Sequence, residues 1–266
     1  MTPVSVIEGA GPVILGVPHA GTFLPPDVRA GLNSRGRVLA DTDWHVDQLY
    51  EGVLSGATTV RANFHRYVID ANRDPNGVSL YPGQNTTGLV PMTDFDGEDI
   101  WEVPPDSAQI EARRMAFHAP YHAALEAQME RVSAIHGVAI LFDCHSIRST
   151  IPFLFDGCLP DLNIGTNLGV TCDPQVEAAV SQRCEAATGY RTVLNGRFKG
   201  GWTTRHYGKP DRNRHALQLE LAQSTYLRAE SPPWELDHEK AGKLRAHLTD
   251  ILQDLAELAP LLKGSS

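Results

Sequence analysis

One apolar segment constrains the fold more than any other part of the chain. Residues 137–142 read Gly-Val-Ala-Ile-Leu-Phe, and the polar residues Asp143, His145 and Ser146 follow closely. Such a run is typical of a strand buried on both faces of a parallel sheet, and open α/β sheets bind ligands at the carboxyl ends of these strands. Asp143 and His145 would share one face, where the carboxylate could orient the imidazole. A capped turn with a hydrogen-bonded His145 explains the segment alone equally well.

A second segment repeats this arrangement near the start of the chain. Residues 12–18 form an apolar run bounded by prolines, and His19 follows it directly. Two buried strands that each end in a histidine would bring both imidazoles to one edge of the sheet. The pair is a more specific indication of a functional site than either histidine alone.

Composition and charge exclude several classes of protein. The chain has 266 residues, a net charge of −9 and 42% hydrophobic residues, which suffices for a large core. The negative charge argues against broad binding to nucleic acid or to an anionic membrane surface, and no segment approaches the roughly 20 apolar residues of a membrane span. The first ten residues do not resemble a signal peptide, and four scattered cysteines fit a reducing compartment. We predict a cytoplasmic protein, and its oligomeric state stays open.

The segment from residue 41 to 54 predicts a helix with candidate metal ligands at its start. Asp41 or Thr42 is a plausible N-cap, and we interpret Asp41 and Asp47 as capping and dipole-stabilising residues. Asp43 and His45 fall in the predicted first turn, at the mouth of the element. Either side chain is therefore a candidate ligand.

The remaining pattern alternates strands and helices. Strands are predicted at 58–62, 66–70, 151–155, 162–165, 191–194 and 215–222, and helices at 107–132, 174–187 and 236–258. We therefore predict one α/β domain over residues 1–266, in three layers, with a mixed, mostly parallel sheet between helices on both faces. Residues 76–106 lack periodicity and predict a loop that folds over the pocket.

The helix predicted at 107–132 contains a histidine pair. His118 and His122 have the spacing of a helical zinc pair, but Pro120 lies between them and the glutamate of the metalloprotease motif is missing. We interpret both histidines as structural. Pro120 is expected to kink or divide the helix.

Three further polar features have both a functional and a structural interpretation. Arg73 follows the predicted strand 66–70, where it suits two-pronged capture of a carboxylate, or else pairs with Asp70 or Asp74. The basic, glycine-rich residues 196–208 predict an anion-binding loop or a solvated turn. Glu220 interrupts an apolar strand, so it is paired, at an edge, or catalytic.

Together these residues are the parts of a catalytic zinc hydrolase. Such sites hold zinc with three protein ligands, and the metal polarises a carbonyl and lowers the pKa of water to roughly 7. A neighbouring glutamate takes the proton from water and passes it to the leaving amine.

Six short motifs, taken in order, resemble the N-formylglutamate amidohydrolase family. They lie at residues 18–21, 41–45, 70–75, 143–146, 200–205 and 218–221. The resemblance covers nearly the whole chain and implies an enzyme with one catalytic zinc ion. It further implies hydrolysis of N-formyl-L-glutamate to formate and L-glutamate in histidine degradation, and a fold similar to that of the zinc carboxypeptidases.

The same resemblance assigns roles to single residues. The metal ligands are matched by His19 and His145, the catalytic glutamate by Glu220, and the carboxylate-binding pair by Asn72 and Arg73. Arg205 of the basic loop is expected to help bind the small anionic substrate.

One departure from the carboxypeptidase pattern affects the third metal ligand. Thr22 stands where that pattern has a glutamate, three residues after the first histidine. We choose Asp43 as the third ligand, with His45 as the alternative. The preferred acyl group and the metal loaded in the cell do not follow from the residues. A related amidohydrolase acting on another N-acyl amino acid or a carboxy-terminal residue, and a non-catalytic protein that binds acidic metabolites, are the alternative functions.

Overall fold

A seven-stranded sheet forms the centre of the structure, a computed structural model that describes residues 2–79 and 85–264. Its strands are β1 (Val4–Ile7), β2 (Val13–Val17), β3 (Thr58–Ala62), β4 (Ala139–Ile147), β5 (Leu162–Gly165), β6 (Thr192–Leu194) and β7 (Arg214–Ala222). They lie in the order β1-β3-β2-β4-β7-β5-β6. The central strands β3, β2, β4 and β7 run parallel, whereas β1 and the β5–β6 pair run antiparallel to them.

Helices cover both faces of this sheet. They are α1 (Pro26–Gly31), α2 (Val46–Tyr50), α3 (Ser107–Arg113), α4 (Ala119–His136), α5 (Pro174–Ala186), α6 (Trp202–Tyr207) and α7 (His238–Leu258). Apolar residues of α2, α5 and α7 share one core with the sheet, and those of α1 and α4 share another. The predicted α/β class with a mixed, mostly parallel sheet is therefore confirmed. Among the described residues, no helix combines the length and apolar character needed to cross a bilayer.

Buried side chains of strand β4 change from apolar to polar toward its carboxyl end. On the α2–α5–α7 side its side chains are apolar as far as Cys144, as at Phe142, and Ser146 follows them. On the α4 side, Leu141 packs in the core, but Asp143 and His145 follow it on the same face. The carboxyl half of this face is thus polar although it is buried.

Strand β7, which pairs with β4, shows the same change from apolar to polar side chains at the same level of the sheet. Ala216 packs in the α4-side core, and Gln218 and Glu220 follow it on that face. The parallel pairing sets Asp143 opposite Gln218, and His145 opposite Glu220. The two strands together therefore form a polar floor beyond the end of the apolar core.

Two predicted strands are wrong. In segment 66–70 the N–H of Val68 bonds to the carbonyl of His65, and that of Asp70 bonds to Leu89, so no ladder forms. Its apolar residues are buried by packing in the α4-side core, which imitates a strand pattern in sequence. Segment 151–155 is a turn because two successive N–H groups, at 154 and 155, bond to the Ile151 carbonyl. Strand β1 was not predicted.

The helix boundaries also differ in two places. Helix α2 begins at Val46 rather than near residue 41, because His45 has left-handed backbone geometry with a φ of 62°. Asp43 and His45 therefore precede the helix. The long helix is divided, as predicted, by a π-helical turn over Arg114–His118, and Pro120 stands in the first turn of α4, where its missing N–H costs little.

The segment predicted to fold over the pocket lies beside the cavity. Its residues 77–79 and 85–89 line the cavity, and its residues 80–84 fall outside the described part of the chain. Farther along, the indole N–H of Trp101 donates to the carbonyl of Pro91, which anchors the end of the segment.

Candidate active site

A cavity of about 290 Å³ opens at the carboxyl ends of β2, β4 and β7. This volume is near the lower end of those typical of small-molecule sites. His19, His145 and Glu220 line its inner part, and Asn72 and Arg73 line its wall. The cavity therefore lies where parallel sheets bind ligands.

Three potential metal ligands converge beside the cavity floor. The Nδ1 atoms of His19 and His145 are 3.2 Å apart. Oδ2 of Asp43 lies 3.3 Å from Nδ1 of His145 and 3.9 Å from Nδ1 of His19. All three side chains are buried. In a tetrahedral zinc site with bonds of about 2.0–2.2 Å, ligand atoms are about 3.3 Å apart. The triangle thus has the size that a zinc ion requires.

A second carboxylate lies behind each histidine. Oδ1 of Asp70 is 2.7 Å from Nε2 of His19, and Oδ2 of Asp143 is 2.9 Å from Nε2 of His145. Metal-binding histidines usually donate their other ring N–H to such a partner. If both Nε2 atoms carry the proton, the two Nδ1 lone pairs face each other and the Asp43 oxygen, and a cation between them would stabilise this arrangement.

The charges around the cluster suit a divalent cation. Burial lowers the pKa of His145, but Asp143 and Asp43 outweigh it and raise that pKa well above the ordinary value. Up to four negative charges face two guanidinium groups: the carboxylates are Asp43, Asp70, Asp143 and Glu220, and the cations are Arg66 and Arg73. A divalent cation between the two histidines and Asp43 would offset this excess of negative charge. The residues present therefore fit a metal.

Asp43, and not His45, is the third member of the cluster. Nη2 of Arg66 donates to Oδ1 of Asp43 at 2.7 Å, and the N–H of Ser146 donates to Oδ2 at 3.0 Å. Burial raises the pKa of Asp43, but Arg66 and the histidines lower it overall, so the carboxylate is ionised. His45 instead has its Nε2 at 2.8 Å from the carbonyl of Trp234.

Glu220 is a buried carboxylate with a pKa near neutrality. Burial raises the pKa of Glu220 to about 7. Nε2 of Gln218 donates to Oε2 of Glu220 at 2.9 Å, and Oε1 of Gln218 accepts from the N–H of Gly201 at 2.8 Å. Gln218 thus ties the glutamate to the glycine turn of the basic loop. A carboxyl group with such a pKa can both accept and return a proton at neutral pH.

The turn that follows residue 70 brings Asn72 and Arg73 to the cavity wall. Nδ2 of Asn72 lies 3.1 Å from Nε2 of His145, and its Oδ1 accepts from the N–H of Thr203. Arg73 donates from Nε and Nη2 to the carbonyl and hydroxyl of Thr87, each at 2.9 Å. Its Nη1 is 3.7 Å from Oδ2 of Asp70. Arg73 thus contacts Asp70 and also faces the cavity, so the two alternative interpretations of this residue are compatible.

The structure does not bring Arg205 to the cavity. This residue lies on α6, and its Nε donates to the carbonyl of Gly200 at 3.1 Å. Of the described residues of the basic loop, those that line the cavity are Arg197, Phe198 and Gly201. Gly201 has to be a glycine, because a Cβ there would lie 2.3 Å from the Asn72 amide nitrogen.

Comparison of the sequence with known proteins shows which family the chain belongs to. The sequence profile of the N-formylglutamate amidohydrolase family matches residues 11–227. The chain belongs to the N-formylglutamate amidohydrolase family. It is 46% identical over 251 residues to N-formylglutamate deformylase from Pseudomonas aeruginosa, covering 93% of this chain and 94% of that protein. The corresponding identity to N-formylglutamate deformylase from Pseudomonas putida is 45%, over 93% of each protein.

Solved structures agree with this membership. The crystal structure of N-formylglutamate amidohydrolase from Ralstonia eutropha JMP134 superimposes with a TM-score of 0.81 at 27% identity, covering 97% of this chain and 98% of that chain. A gene product from Agrobacterium tumefaciens shares the fold, with a TM-score of 0.71 at 19% identity over 96% of both chains. The family resemblance and the prediction of an amide-hydrolysing enzyme are therefore confirmed.

In this amidohydrolase, the histidine pair of the long helix supports the turn that carries Asn72 and Arg73. Nε2 of His118 lies 3.0 Å from the carbonyl of Arg73, and Nε2 of His122 lies 2.7 Å from that of Ala71. Burial lowers the pKa of both histidines, that of His122 to about 3, so both are neutral donors. They hold the carbonyls on either side of Asn72, in agreement with the structural interpretation.

Sequence reasoning gave no role at the metal cluster or beside Glu220 to three residues of this amidohydrolase site. Arg66 and Asp70 fall in the segment 66–70, which was predicted to be a strand, and Gln218 is a polar residue of β7. For Gln218 a pattern was available, since it lies two residues before Glu220 and shares its face. For Arg66 the only indication was a cation in an otherwise apolar run.

Proposed function

We propose that this amidohydrolase hydrolyses N-formyl-L-glutamate to formate and L-glutamate with the help of one zinc ion. The cluster of His19, Asp43 and His145 beside Glu220 carries this proposal, because it joins a metal-sized ligand triangle to a titratable carboxylate. The two Pseudomonas relatives are N-formylglutamate deformylases, which supports this substrate. A role in histidine degradation and a cytoplasmic location belong to the same proposal and rest on the resemblance.

The three ligands would hold the metal, and the residues around them would keep it in place. A bound zinc ion supplies a Lewis acid that polarises a carbonyl and makes water a better nucleophile near neutral pH. Asp70 orients the imidazole of His19 from behind, Asp143 adds a negative charge 2.9 Å from Nε2 of His145, and Arg66 fixes the Asp43 carboxylate. The ligand geometry is thus prepared before the substrate binds.

Glu220 performs the proton transfers in this proposal. It takes a proton from the attacking water and returns it to the amine nitrogen, which leaves poorly as an anion. Its raised pKa suits both steps, and the Gln218 amide keeps its carboxylate oriented while the proton moves.

Arg73 binds the carboxylate attached to the α-carbon of the substrate. Its guanidinium is already oriented by Thr87 and by the carbonyl of Asn72, at 3.0 Å. Asn72 contacts both neighbours of the substrate carboxylate in this proposal: its carbonyl accepts from Arg73, and its side-chain amide lies beside His145. Arg205 contributes to substrate binding only indirectly, because it donates to the carbonyl of Gly200. A pre-oriented cation loses little conformational entropy when the substrate binds.

The test is a formate-release assay paired with metal analysis of the same purified protein. We expect about one zinc ion per chain and formate release from N-formyl-L-glutamate, lost on chelation and restored by zinc. N-acetyl- and N-succinyl-L-glutamate in the same assay measure the acyl preference. A zinc-replete protein that releases no formate but hydrolyses another N-acyl amino acid would refute the proposed substrate and leave the hydrolase class intact.

A further inference from the structure

The substrate proposed above carries two carboxylates, and the cavity offers more than one arginine to bind them. One carboxylate is attached to the α-carbon, next to the amide that is cleaved, and the other ends the side chain. Arg66, Arg73 and Arg197 line the cavity. Their contacts differ enough to assign each a separate role.

Arg66 is committed to the metal cluster. Its Nη2 donates to Oδ1 of Asp43 at 2.7 Å, and its guanidinium lies 5.0 Å from the centre of the Phe95 ring. Because its side chain is buried and balances the charge of a metal ligand, binding a substrate carboxylate would compete with Asp43. Arg66 is therefore a poor choice for either substrate carboxylate.

Arg73 lies next to the reacting centre. Its Nη1 is 3.7 Å from one oxygen of Asp70, and the other oxygen of Asp70 is 2.7 Å from Nε2 of His19. One side chain thus separates Arg73 from a metal ligand. The short distance between Arg73 and the metal cluster suits the α-carboxylate of the substrate, because the α-carbon bears both this carboxylate and the nitrogen of the cleaved amide.

Arg197 lies on a different part of the cavity wall. Its Nε donates to the carbonyl of Leu154 at 2.9 Å, and its Nη2 donates to that of Asn85 at 3.1 Å. Its guanidinium is 5.4 Å from the centre of the Phe198 ring. Leu154 and Phe198 also line the cavity, so apolar surface that suits the two side-chain methylenes adjoins this cation.

We propose that Arg197 binds the side-chain carboxylate of the substrate and thereby sets the preference for an acidic side chain. This inference rests on the proposed function. Two backbone carbonyls fix the orientation of the guanidinium plane, so a carboxylate meets a prepared cation rather than a mobile one. A charge-assisted contact of this kind changes kcat/KM by about 10- to 100-fold.

The test compares N-formyl-L-glutamate with N-formyl-L-glutamine, which has nearly the same shape and no side-chain charge. We expect wild-type protein to prefer the glutamate derivative by about 10- to 100-fold in kcat/KM. Arg197→Met should remove most of this preference, and Arg197→Lys should keep part of it. Because Arg197 also supports the cavity wall, the ratio of the two substrates is the readout: a loosened wall lowers both rates.

Arg212→Met is the matched control, since it removes one exposed arginine from the described surface and should leave the ratio unchanged. An Arg197→Met protein that keeps the wild-type ratio, with formate still released from N-formyl-L-glutamate, would overturn the inference and leave the proposed function standing. Hydrolysis of neither substrate by wild-type, zinc-replete protein would overturn both.

Discussion

His145 on β4 and Glu220 on β7 stand directly opposite each other in the parallel pairing of the two strands. Side chains opposite each other on one face of a sheet are close neighbours. The backbone ladder therefore fixes the candidate general base beside a candidate metal ligand. This relationship makes Glu220 the most direct target for a test of the mechanism.

Glu220→Gln should lower kcat by about 10²- to 10⁴-fold, because the amide cannot take a proton from water. The amide is nearly isosteric and can still accept from Gln218, so zinc content and melting temperature should not change. The exposed Glu185→Gln is the matched control. Near-normal kcat in a stable, zinc-replete Glu220→Gln protein would remove Glu220 from the mechanism.

Asp43→Ala should weaken zinc binding by more than about 100-fold, whereas His45→Ala should bind zinc like the wild type. The reason is that Asp43 lies among the histidine nitrogens and His45 is bonded to the Trp234 carbonyl. Competition with a chelator of known affinity measures the difference, apart from any assay of turnover. Loss of zinc in His45→Ala with retention in Asp43→Ala would reverse the assignment.

Arg73→Lys should lower kcat/KM for N-formyl-L-glutamate by about 10- to 100-fold although the charge is kept. A lysine ammonium cannot reproduce three donors that contact Thr87 and Asn72 while also binding a carboxylate. Steady-state kinetics with zinc content held equal measures the loss, and Arg212→Lys is the control. Unchanged kcat/KM would show that the planar guanidinium has no role in substrate binding.

His122→Gln should make the stability of the fold less sensitive to acid. The pKa of His122 is about 3 in the fold and 6.5 as a reference for the unfolded chain. Between about pH 3 and pH 6.5, this histidine binds a proton in the unfolded chain but not in the folded protein. The free energy of unfolding therefore falls as the pH decreases, by up to about 1.4 kcal/mol per pH unit. Glutamine keeps a donor for the Ala71 carbonyl but does not titrate.

Urea unfolding between pH 4 and 7, with a chelator present so that metal release does not contribute, measures this slope. The exposed His238→Gln should keep the wild-type slope. If His122→Gln also keeps it, the neutral state of His122 is not a determinant of acid stability.

The parts of the site that could be predicted are those set by local pattern. An apolar run followed by a polar residue located His19 and His145, because strand burial and side-chain alternation are encoded over a few residues. The role of Asp70 could not be found in this way, because residues 66–70 form no ladder and their positions depend on contacts with Leu89 and α4. The choice between Asp43 and His45 likewise depended on the backbone geometry of His45 before α2.

The alternation along β4 and β7 has a consequence for how this protein can fail. A slip of one residue in either strand would turn its polar side chains into the α2–α5–α7 core and expose leucines, or Cys144, to the cavity. The same hydrogen-bond ladder thus positions the apolar core residues on one face of the sheet and the polar residues of the candidate active site on the other. A folded but misregistered and inactive form is therefore strongly disfavoured, and damage to the sheet should remove stability and activity together.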